Sequence, residues 1–166
     1  MRILGIDPGL SRTGFSVLEV DSDRPASPPA VIEAGHFRFD PKRSVASRLA
    51  ELERDLDGAV ARTKPTHAAV EAIYSHGEFP RTAITMAHAR GVVLLCLERA
   101  KIEVLELPAN TIKKAVAGHG HASKEQIAHA VASILALDAP PEPADVADAM
   151  AIALCASTRL LAETAG

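Results

Sequence analysis

Met1-Arg-Ile-Leu-Gly-Ile-Asp-Pro-Gly-Leu-Ser-Arg-Thr-Gly14 opens the chain and decides its fold. The apolar run from Ile3 to Ile6 predicts a short buried strand. Asp7 follows it directly, Pro8-Gly9 predicts a turn, and a second extended run begins at Thr13. A carboxylate at the end of a buried strand is unfavourable unless it has a partner. A divalent cation or a hydrogen bond within the turn would each satisfy Asp7, and this stretch alone does not choose between them.

The composition indicates one domain with an aliphatic core. The chain has 166 residues, of which 48% are hydrophobic and only 3% aromatic, and a chain of this length can bury a substantial core. We therefore expect residues 1–166 to form a single domain. The net charge of −3 is not typical of a nucleic-acid-binding protein, which more often has a basic excess. A nucleic-acid function would therefore require an uneven distribution of charge.

The cysteines and the apolar segments bear on where the protein works. Cys96 and Cys155 lie far apart in apolar surroundings, which predicts buried thiols in a reducing compartment. Arg2 is followed by a strand rather than by the long apolar segment of a secretory leader. No run reaches the roughly 18 apolar residues that a membrane span requires. We therefore expect a soluble, cytoplasmic protein.

Strands and helices are predicted in an order typical of an α/β fold. Strands are predicted from Ile3 to Ile6 and over residues 13–20, 31–39, 67–73 and 103–107, and helices over residues 44–60, 82–100 and 111–117, after Ser123, and from Ala144. This order predicts a five-stranded mixed sheet flanked by helices, in which the first three strands are antiparallel. Asn110 is a candidate helix cap, and Ser123 with Gln126 matches a capping box. Residues 21–29 form a polar, proline-rich loop.

The helix predicted over residues 82–100 is apolar nearly all round. Its apolar residues, which include Ile84, Val93 and Leu95, cannot all face one sheet. A helix that is apolar on every side is expected to be buried on every side. In so short a chain, the second cover could be another copy of the protein, which predicts a homodimer through this helix.

Four carboxylates are predicted to meet at one end of the sheet. Adjacent first and fourth strands would bring Asp7 close to Glu71. Asp145 and Asp148 are three residues apart on one helix and share a face, although the helix dipole alone would account for Asp145. Four carboxylates with no Cys or His set favour two Mg²⁺ or Mn²⁺ ions over Zn²⁺. Two such ions per active site are the usual apparatus for hydrolysing a phosphodiester.

Several motifs extend this interpretation over the whole chain: Ile-Leu-Gly-Ile-Asp-Pro-Gly with Thr13-Gly14, Ala-Val-Glu71, Ala-Arg-Gly91, Lys113 with Gly118 and Gly120, Lys124, and Asp145-Val-Ala-Asp148-Ala-Met-Ala-Ile-Ala. In these motifs and their order, the chain resembles the RuvC family of crossover junction endodeoxyribonucleases. The resemblance implies an RNase H-like fold, a homodimer, and Mg²⁺- or Mn²⁺-dependent cleavage of Holliday junctions. It also implies partnership with the branch-migration proteins RuvA and RuvB.

The resemblance further assigns roles to single residues. It implies that Asp7, Glu71, Asp145 and Asp148 are the catalytic metal ligands, that Lys113 and Lys124 are needed for activity, and that Tyr74 contacts the junction. Arg12 and Arg81 are candidates for binding phosphate, with a surface role equally open, and Lys114 is expected to be solvated. The enlarged loop at 21–29, His119 and His121 depart from the family, and the histidines are expected at the surface. Two bound divalent cations would change the net charge from −3 to about +1.

Three other classes of protein are alternative interpretations of the sequence. A sugar-kinase or actin-like ATPase opens similarly but needs a duplicated domain, which 166 residues cannot supply. An RNase H-fold nuclease acting on ribosomal RNA precursors shares the opening motif, and the helix carrying Asp145 and Asp148 favours the junction enzyme over it. A non-catalytic junction-binding module gains nothing from four carboxylates facing DNA.

Overall fold

The computed structural model describes residues 1–72 and 80–164, without the side chains of residues 80–82. The strands in these ranges are β1 (Arg2–Asp7), β2 (Arg12–Glu19), β3 (Ala30–Arg38), β4 (His67–Glu71) and β5 (Glu103–Leu107). The helices are α1 (Val45–Thr63), α2 (Pro80–Arg99), α3 (Ala109–Ala117), α4 (Lys124–Ile134) and α5 (Ala144–Thr164). None of these helices is long and apolar enough to cross a membrane.

The five strands form one mixed sheet in the order β3-β2-β1-β4-β5. The pairs β1–β2 and β2–β3 are antiparallel, while β1–β4 and β4–β5 are parallel. The predicted mixed sheet and its antiparallel opening are confirmed. Because β1 and β4 are parallel neighbours, their carboxyl ends, Asp7 and Glu71, lie at the same end of the sheet.

Helices cover both faces of the sheet. Alternate strand residues point to opposite faces, so that Ile3 packs with α3, α4 and α5 while Leu4 packs with α1 and α2. Phe15 and Phe37, from neighbouring strands, stack on the second face with their ring centroids 4.7 Å apart. Cys96 and Cys155 are buried and unpaired.

Two glycines allow α5 to lie directly on the sheet. A Cβ atom on Gly5 would stand 2.2 Å from the carbonyl oxygen of Ala149, and one on Gly14 would stand 1.9 Å from that of Asp145. Real atoms do not approach so closely, so any larger residue would push the helix away. The first two turns of α5 are thereby held beside the end of β1.

The helix ends follow the sequence signals, with one exception. Ser44 caps α1, and Lys64 ends that helix in the left-handed conformation. The predicted capping box of Ser123 and Gln126 is present at the start of α4. The prediction that Asn110 caps α3 was wrong, because the helix begins one residue earlier, at Ala109, with Pro108 in the cap position.

Within the single chain α2 is buried on one side, and the burial of its other side by another copy of the protein stays a prediction. Val93 and Leu97 are wholly buried in the core beneath α1 and α2, but Ile84 is 57% exposed and Leu95 is 53% exposed. The sheet and α1 cover only one side of the helix. The opposite side carries apolar residues that none of the described parts of the chain covers.

Candidate active site

Three of the predicted acids line one cleft at the carboxyl end of β1. Asp7 ends β1, Glu71 ends β4, and Asp148 lies in the second turn of α5. The cleft has a volume of about 350 Å³, and Lys113 from α3 and Lys124 from α4 line it too. Asp7 and Glu71 point to the sheet face that α5 covers, since Ile3 and Ala69, which precede them by even numbers of residues, pack there.

The fourth acid lies beside this cleft rather than in its lining. The carboxylate of Asp145 accepts a hydrogen bond from the guanidinium of Arg12 at 3.0 Å. Arg12 begins β2, next to the end of β1. The two acids of α5 therefore differ in their partners, although they stand three residues apart.

The pKa of Asp7 reflects its burial and the charges of the other three acids. Burial, and then the charges of Asp148, Glu71 and Asp145, raise the pKa of Asp7 from 3.8 to about 7, with Lys124 opposing them. Burial is also the largest cause that raises the pKa of Glu71, followed by the charge of Asp148. Three of the acids thus line one cleft, and Asp145 lies near enough for its charge to act on Asp7. Their roles as ligands and catalysts stay predictions.

Two lysines that line the same cleft partly compensate this negative charge. The ammonium group of Lys124 donates a hydrogen bond to Asp148 at 3.1 Å, and this bond is the largest cause that raises the pKa of Lys124. The Lys124 side chain is 75% exposed and that of Asp148 is 26% exposed. Such an exposed pair stabilises a protein by only about 0–1 kcal/mol. The lysine can therefore leave Asp148 at little cost.

Neighbouring lysines on α3 differ in position. Lys113 lines the cleft and lowers the pKa of Glu71 by its charge. Lys114 is exposed and is not part of the lining. This agrees with the solvated position expected for Lys114.

The donor chemistry of the cleft fits a hard divalent cation. Carboxylate oxygens are what Mg²⁺ and Mn²⁺ prefer, and a cation would relieve the repulsion that raises the pKa of Asp7. Within the described ranges, however, no group of three or more Asp, Glu, His or Cys side chains is arranged to hold a metal ion. Two of the acids instead have cationic partners, since Arg12 bonds Asp145 and Lys124 bonds Asp148. The carboxylates are chemically suited to a divalent cation. The guanidinium of Arg12 and the ammonium of Lys124 lie beside two of them, where the charge of that cation would act.

Some predicted residues fall beyond these observations. Tyr74 lies outside the described residues, and so does the side chain of Arg81. His119 and His121 are exposed, as expected. His119 lines a different concavity, shared with Ser123 and His129.

The sequence did not predict two features that support the site. The Arg90 guanidinium donates a bond to the backbone oxygen of Glu71 at 3.4 Å and pairs with Glu106, which ties α2 to the ends of β4 and β5. The Thr13 hydroxyl donates to the carbonyl oxygen of Gly9 and accepts from its N–H, which fixes the turn after Asp7. Arg90 stands in the Ala-Arg-Gly91 motif, which could have drawn attention to it. Nothing in the sequence indicated the bond between Thr13 and Gly9.

A mixed sheet with acids at two neighbouring strand ends, and two more on a helix packed across it, defines a nuclease of the RNase H-like fold. A family model described as crossover junction endodeoxyribonuclease RuvC matches residues 3–156. The chain belongs to this family of endodeoxyribonucleases, whose members depend on metal ions. An RNase H-fold nuclease acting on ribosomal RNA precursors is not favoured.

Individual relatives cover nearly the whole chain. The chain is 42% identical over 158 residues to crossover junction endodeoxyribonuclease RuvC of Synechococcus sp. (strain CC9311), with 93% of this chain and 96% of the relative covered. It is 40% identical over 160 residues to the RuvC of Heliobacterium modesticaldum, with 96% of each chain covered. It also matches the structure of Thermus thermophilus RuvC in complex with a Holliday junction substrate, with a TM-score of 0.89, 29% identity, and coverage of 99% of this chain and 97% of that one.

Proposed function

We propose that this protein resolves Holliday junctions, cutting two strands of a four-way DNA junction at symmetric positions. The observation that carries the proposal is the cleft lined by Asp7, Glu71 and Asp148, where burial, and then the charges of Asp148, Glu71 and Asp145, raise the pKa of Asp7 to about 7, in a chain of the RuvC family. The relative from Thermus thermophilus was solved with a Holliday junction substrate. Resolution of such junctions serves recombination and DNA repair.

Asp7, Glu71, Asp145 and Asp148 are the proposed ligands of two Mg²⁺ or Mn²⁺ ions per active site. When bound, such ions activate a water molecule and stabilise the leaving oxygen of a phosphodiester. The all-oxygen donor set supports this choice of metal. The change required of the protein is small, because the bonds of Arg12 and Lys124 to the acids are partly exposed to solvent.

The lysines of the cleft are proposed to hold the scissile phosphate. Lys113 and Lys124 line the same cleft as the acids, so a phosphate entering the cleft would meet ammonium groups as well as carboxylates. Charge on the phosphate increases in the transition state, and fixed cations stabilise it. Lys124 would exchange Asp148 for the phosphate as DNA enters.

Three further residues are proposed to contact the junction. Arg12 would leave Asp145 for a nearby phosphate, and Arg81 would bind another. Tyr74 would stack on an unpaired or distorted base, a contact worth roughly 1–3 kcal/mol in other proteins. The family resemblance supports Tyr74, and the position of Arg12 beside the acids supports a phosphate contact there.

A homodimer through α2 is part of the proposal. Ile84, Gly91 and Leu95 lie at helical spacings of seven and four residues, on one side of α2. Nothing lies within 4 Å of where a Cβ atom of Gly91 would stand, which leaves room for the close approach of a second helix. A four-way junction has approximate twofold symmetry, so a twofold dimer would present one site to each of two strands.

The remaining proposals concern the setting of the enzyme. We propose that residues 1–166 form one nuclease domain, which the single sheet with helices on both faces supports. RuvA and RuvB are proposed partners on the strength of the family alone. The cytoplasm is the proposed location, and the unpaired, buried cysteines are compatible with its reducing conditions.

The test is incubation with a synthetic four-way junction and, separately, with a linear duplex of the same sequence. With Mg²⁺ or Mn²⁺, we expect paired symmetric nicks in the junction alone, and none in EDTA. Asp7→Asn should abolish nicking while junction binding in EDTA is retained or tightened, because one charge that repels phosphate is removed. A folded Asp7→Asn protein that no longer binds the junction, or wild-type protein that cuts the linear duplex equally well, would contradict the proposal.

A further inference from the structure

The outer strand β3 places cationic side chains on the same face of the sheet as the acids. Asp7 pairs with Gly14 across β1 and β2, and Arg12 pairs with Arg38 across β2 and β3. Directly paired residues share a face, as do residues two apart on one strand. Asp7, Arg12 and Arg38 therefore lie in a row across the end of the sheet, all on the face that α5 covers.

Arg38 is exposed, and its side chain has no partner among the described residues. Most other arginines in these ranges form ion pairs, such as that of Arg62 with Glu33. The described lysines and arginines whose side chains form neither an ion pair nor a hydrogen bond are Arg38, Lys42, Lys64, Lys113, Lys114 and Arg159. Of these cations, Lys113 lies among the acids of the cleft and acts on Glu71 by its charge without a direct bond.

The positions of these unpaired cations are uneven. Arg38 ends β3 and Lys42 follows it, at the end of the sheet where the acids lie. Lys113 is at the same end, on the other side of the acids. Lys64 and Arg159 lie at the opposite end, and Arg159 is 11 residues beyond Asp148 on α5, about 16 Å along the helix. Positive charge without a partner is thus concentrated on both sides of the acidic cleft.

We propose that Arg38, with Lys42 beyond it, binds the phosphates of a duplex arm of the junction. This inference rests on the proposed function and extends its substrate contacts to the outer edge of the sheet. Strands lie about 4.8 Å apart, so β3 is about 10 Å from β1. Successive phosphates of one DNA strand advance about 3.4 Å along the helix axis. Arg38 would therefore meet the backbone about three to five nucleotides from the scissile bond.

Two acids lie close to this path. Asp40 stands between Arg38 and Lys42 in the chain, is exposed, and accepts a hydrogen bond from the backbone N–H of Lys42 at 2.9 Å. Glu142 lines a concavity with Arg12 and His36, next to the start of α5. Its charge repels phosphate, whereas Arg38 stands outside that concavity. The duplex arm would accordingly be held by Arg38 against a weak local repulsion, and Glu142→Gln should tighten binding.

The first test measures junction binding in EDTA over a range of salt concentrations, in an Asp7→Asn background that cannot cut. Each phosphate contact contributes about −0.9 to the slope of log affinity against log salt. Arg38→Ala should therefore reduce the slope by about one and weaken binding about 3- to 10-fold at low salt. Arg38→Lys should keep the slope. Arg159→Ala, the matched control at the other end of the sheet, should leave both values unchanged.

The second test locates the contact on the DNA. Single phosphates two to seven nucleotides from the scissile bond are replaced by neutral methylphosphonates. At one or two positions, about three to five nucleotides from the scissile bond, the replacement should weaken junction binding by the protein that retains Arg38. The same replacement should cause no further loss of binding by the Arg38→Ala protein, which already lacks this contact. Coupling at no position, or an unchanged salt slope in a folded Arg38→Ala protein, would overturn the inference. Wild-type protein that still nicks the junction would show that the proposed function survives that failure.

Discussion

At the scale of single residues, Asp7 is the acid of the site whose pKa is raised most, by burial first and then by the charges of the other acids. Its pKa is raised to about 7, whereas an aspartate in the unfolded chain has a value near 3.9. The folded protein therefore holds the proton more tightly. The stability from this group is full below about pH 4 and is lost as the pH rises through about 7.

This shift predicts how Asp7→Asn changes stability without metal. The variant has no carboxylate to ionise there, so its stability advantage over wild type should grow by about 2–3 kcal/mol between pH 5 and pH 8. Urea unfolding in EDTA at the two pH values measures it. Asp23→Asn, at an exposed position of the 21–29 loop, is the control and should show no such growth. An equal advantage of Asp7→Asn at both pH values would mean that the charges of the site do not act on this carboxylate.

Adjacent lysines offer a second test of single residues. Lys113 lines the acidic cleft, whereas its neighbour Lys114 is exposed outside it. Removing one cation that stabilises a transition-state charge typically costs about 10²- to 10³-fold in rate. Lys113→Ala should lose cleavage by such a factor under single-turnover conditions, and Lys114→Ala should stay within about threefold of wild type. Equal losses in the two variants would indicate a general effect of surface charge.

At the scale of elements, the position of α5 depends on glycines of the sheet. A Cβ atom on Gly14 would meet the carbonyl oxygen of Asp145 at 1.9 Å, whereas one on Gly58 of α1 would meet only the flexible end of Arg62, at 3.3 Å. Gly14→Ala should therefore displace the start of α5 and with it both of its acids. We expect a loss of about 1–3 kcal/mol in stability, the usual cost of overpacking. The fraction of the cleavage rate that is lost should be larger than the fraction of the stability that is lost.

The control for this prediction is Gly58→Ala. An alanine within a helix is favoured over glycine by about 1 kcal/mol, so this variant should be as stable as wild type or more so, with full activity. Thermal unfolding and junction cleavage of both variants are the measurements. Gly14→Ala protein with unchanged stability and cleavage would show that α5 does not need this close contact.

Much of this arrangement was predictable because it follows from local patterns. The strand that ends at Asp7, the helix that begins near Asp145 and the parallel pairing of β1 with β4 follow from periodicity and element order. The contacts between distant parts of the chain were not predictable. No local signal indicates that Arg12 bonds Asp145, or that Gly14 is needed because a helix 131 residues later packs on it.

Which side of α2 the chain itself covers was not predictable for a related reason. Its composition showed that the helix is apolar nearly all round, but composition does not show which side the chain itself covers. Val93 faces the core, and Ile84 and Leu95 face outward. A substitution intended to disturb an interface must therefore be made at the outward positions, since Val93→Glu would disrupt the core of the single chain.

At the scale of the whole molecule, the proposed dimer determines how many strands are cut. Leu95→Glu places a charge on the exposed side of α2, close to Gly91, without touching the core. We expect it to convert the dimer to a folded monomer at micromolar concentration, because an unpaired charge in an apolar interface is costly. Sedimentation measures the change. Ile134→Glu, at a 37% exposed apolar position on α4, is the control and should remain dimeric.

Leu95→Glu should also separate the two nicks when the substrate is a supercoiled plasmid that extrudes a cruciform. Two sites acting within one bound complex produce linear DNA, since both strands are cut before the protein leaves. One site produces a single nick, which relaxes the plasmid and removes the cruciform before a second cut. We therefore expect linear product from wild type and from Ile134→Glu, and nicked circles from Leu95→Glu. A monomeric Leu95→Glu protein that still yields linear DNA would contradict the pairing of sites through α2.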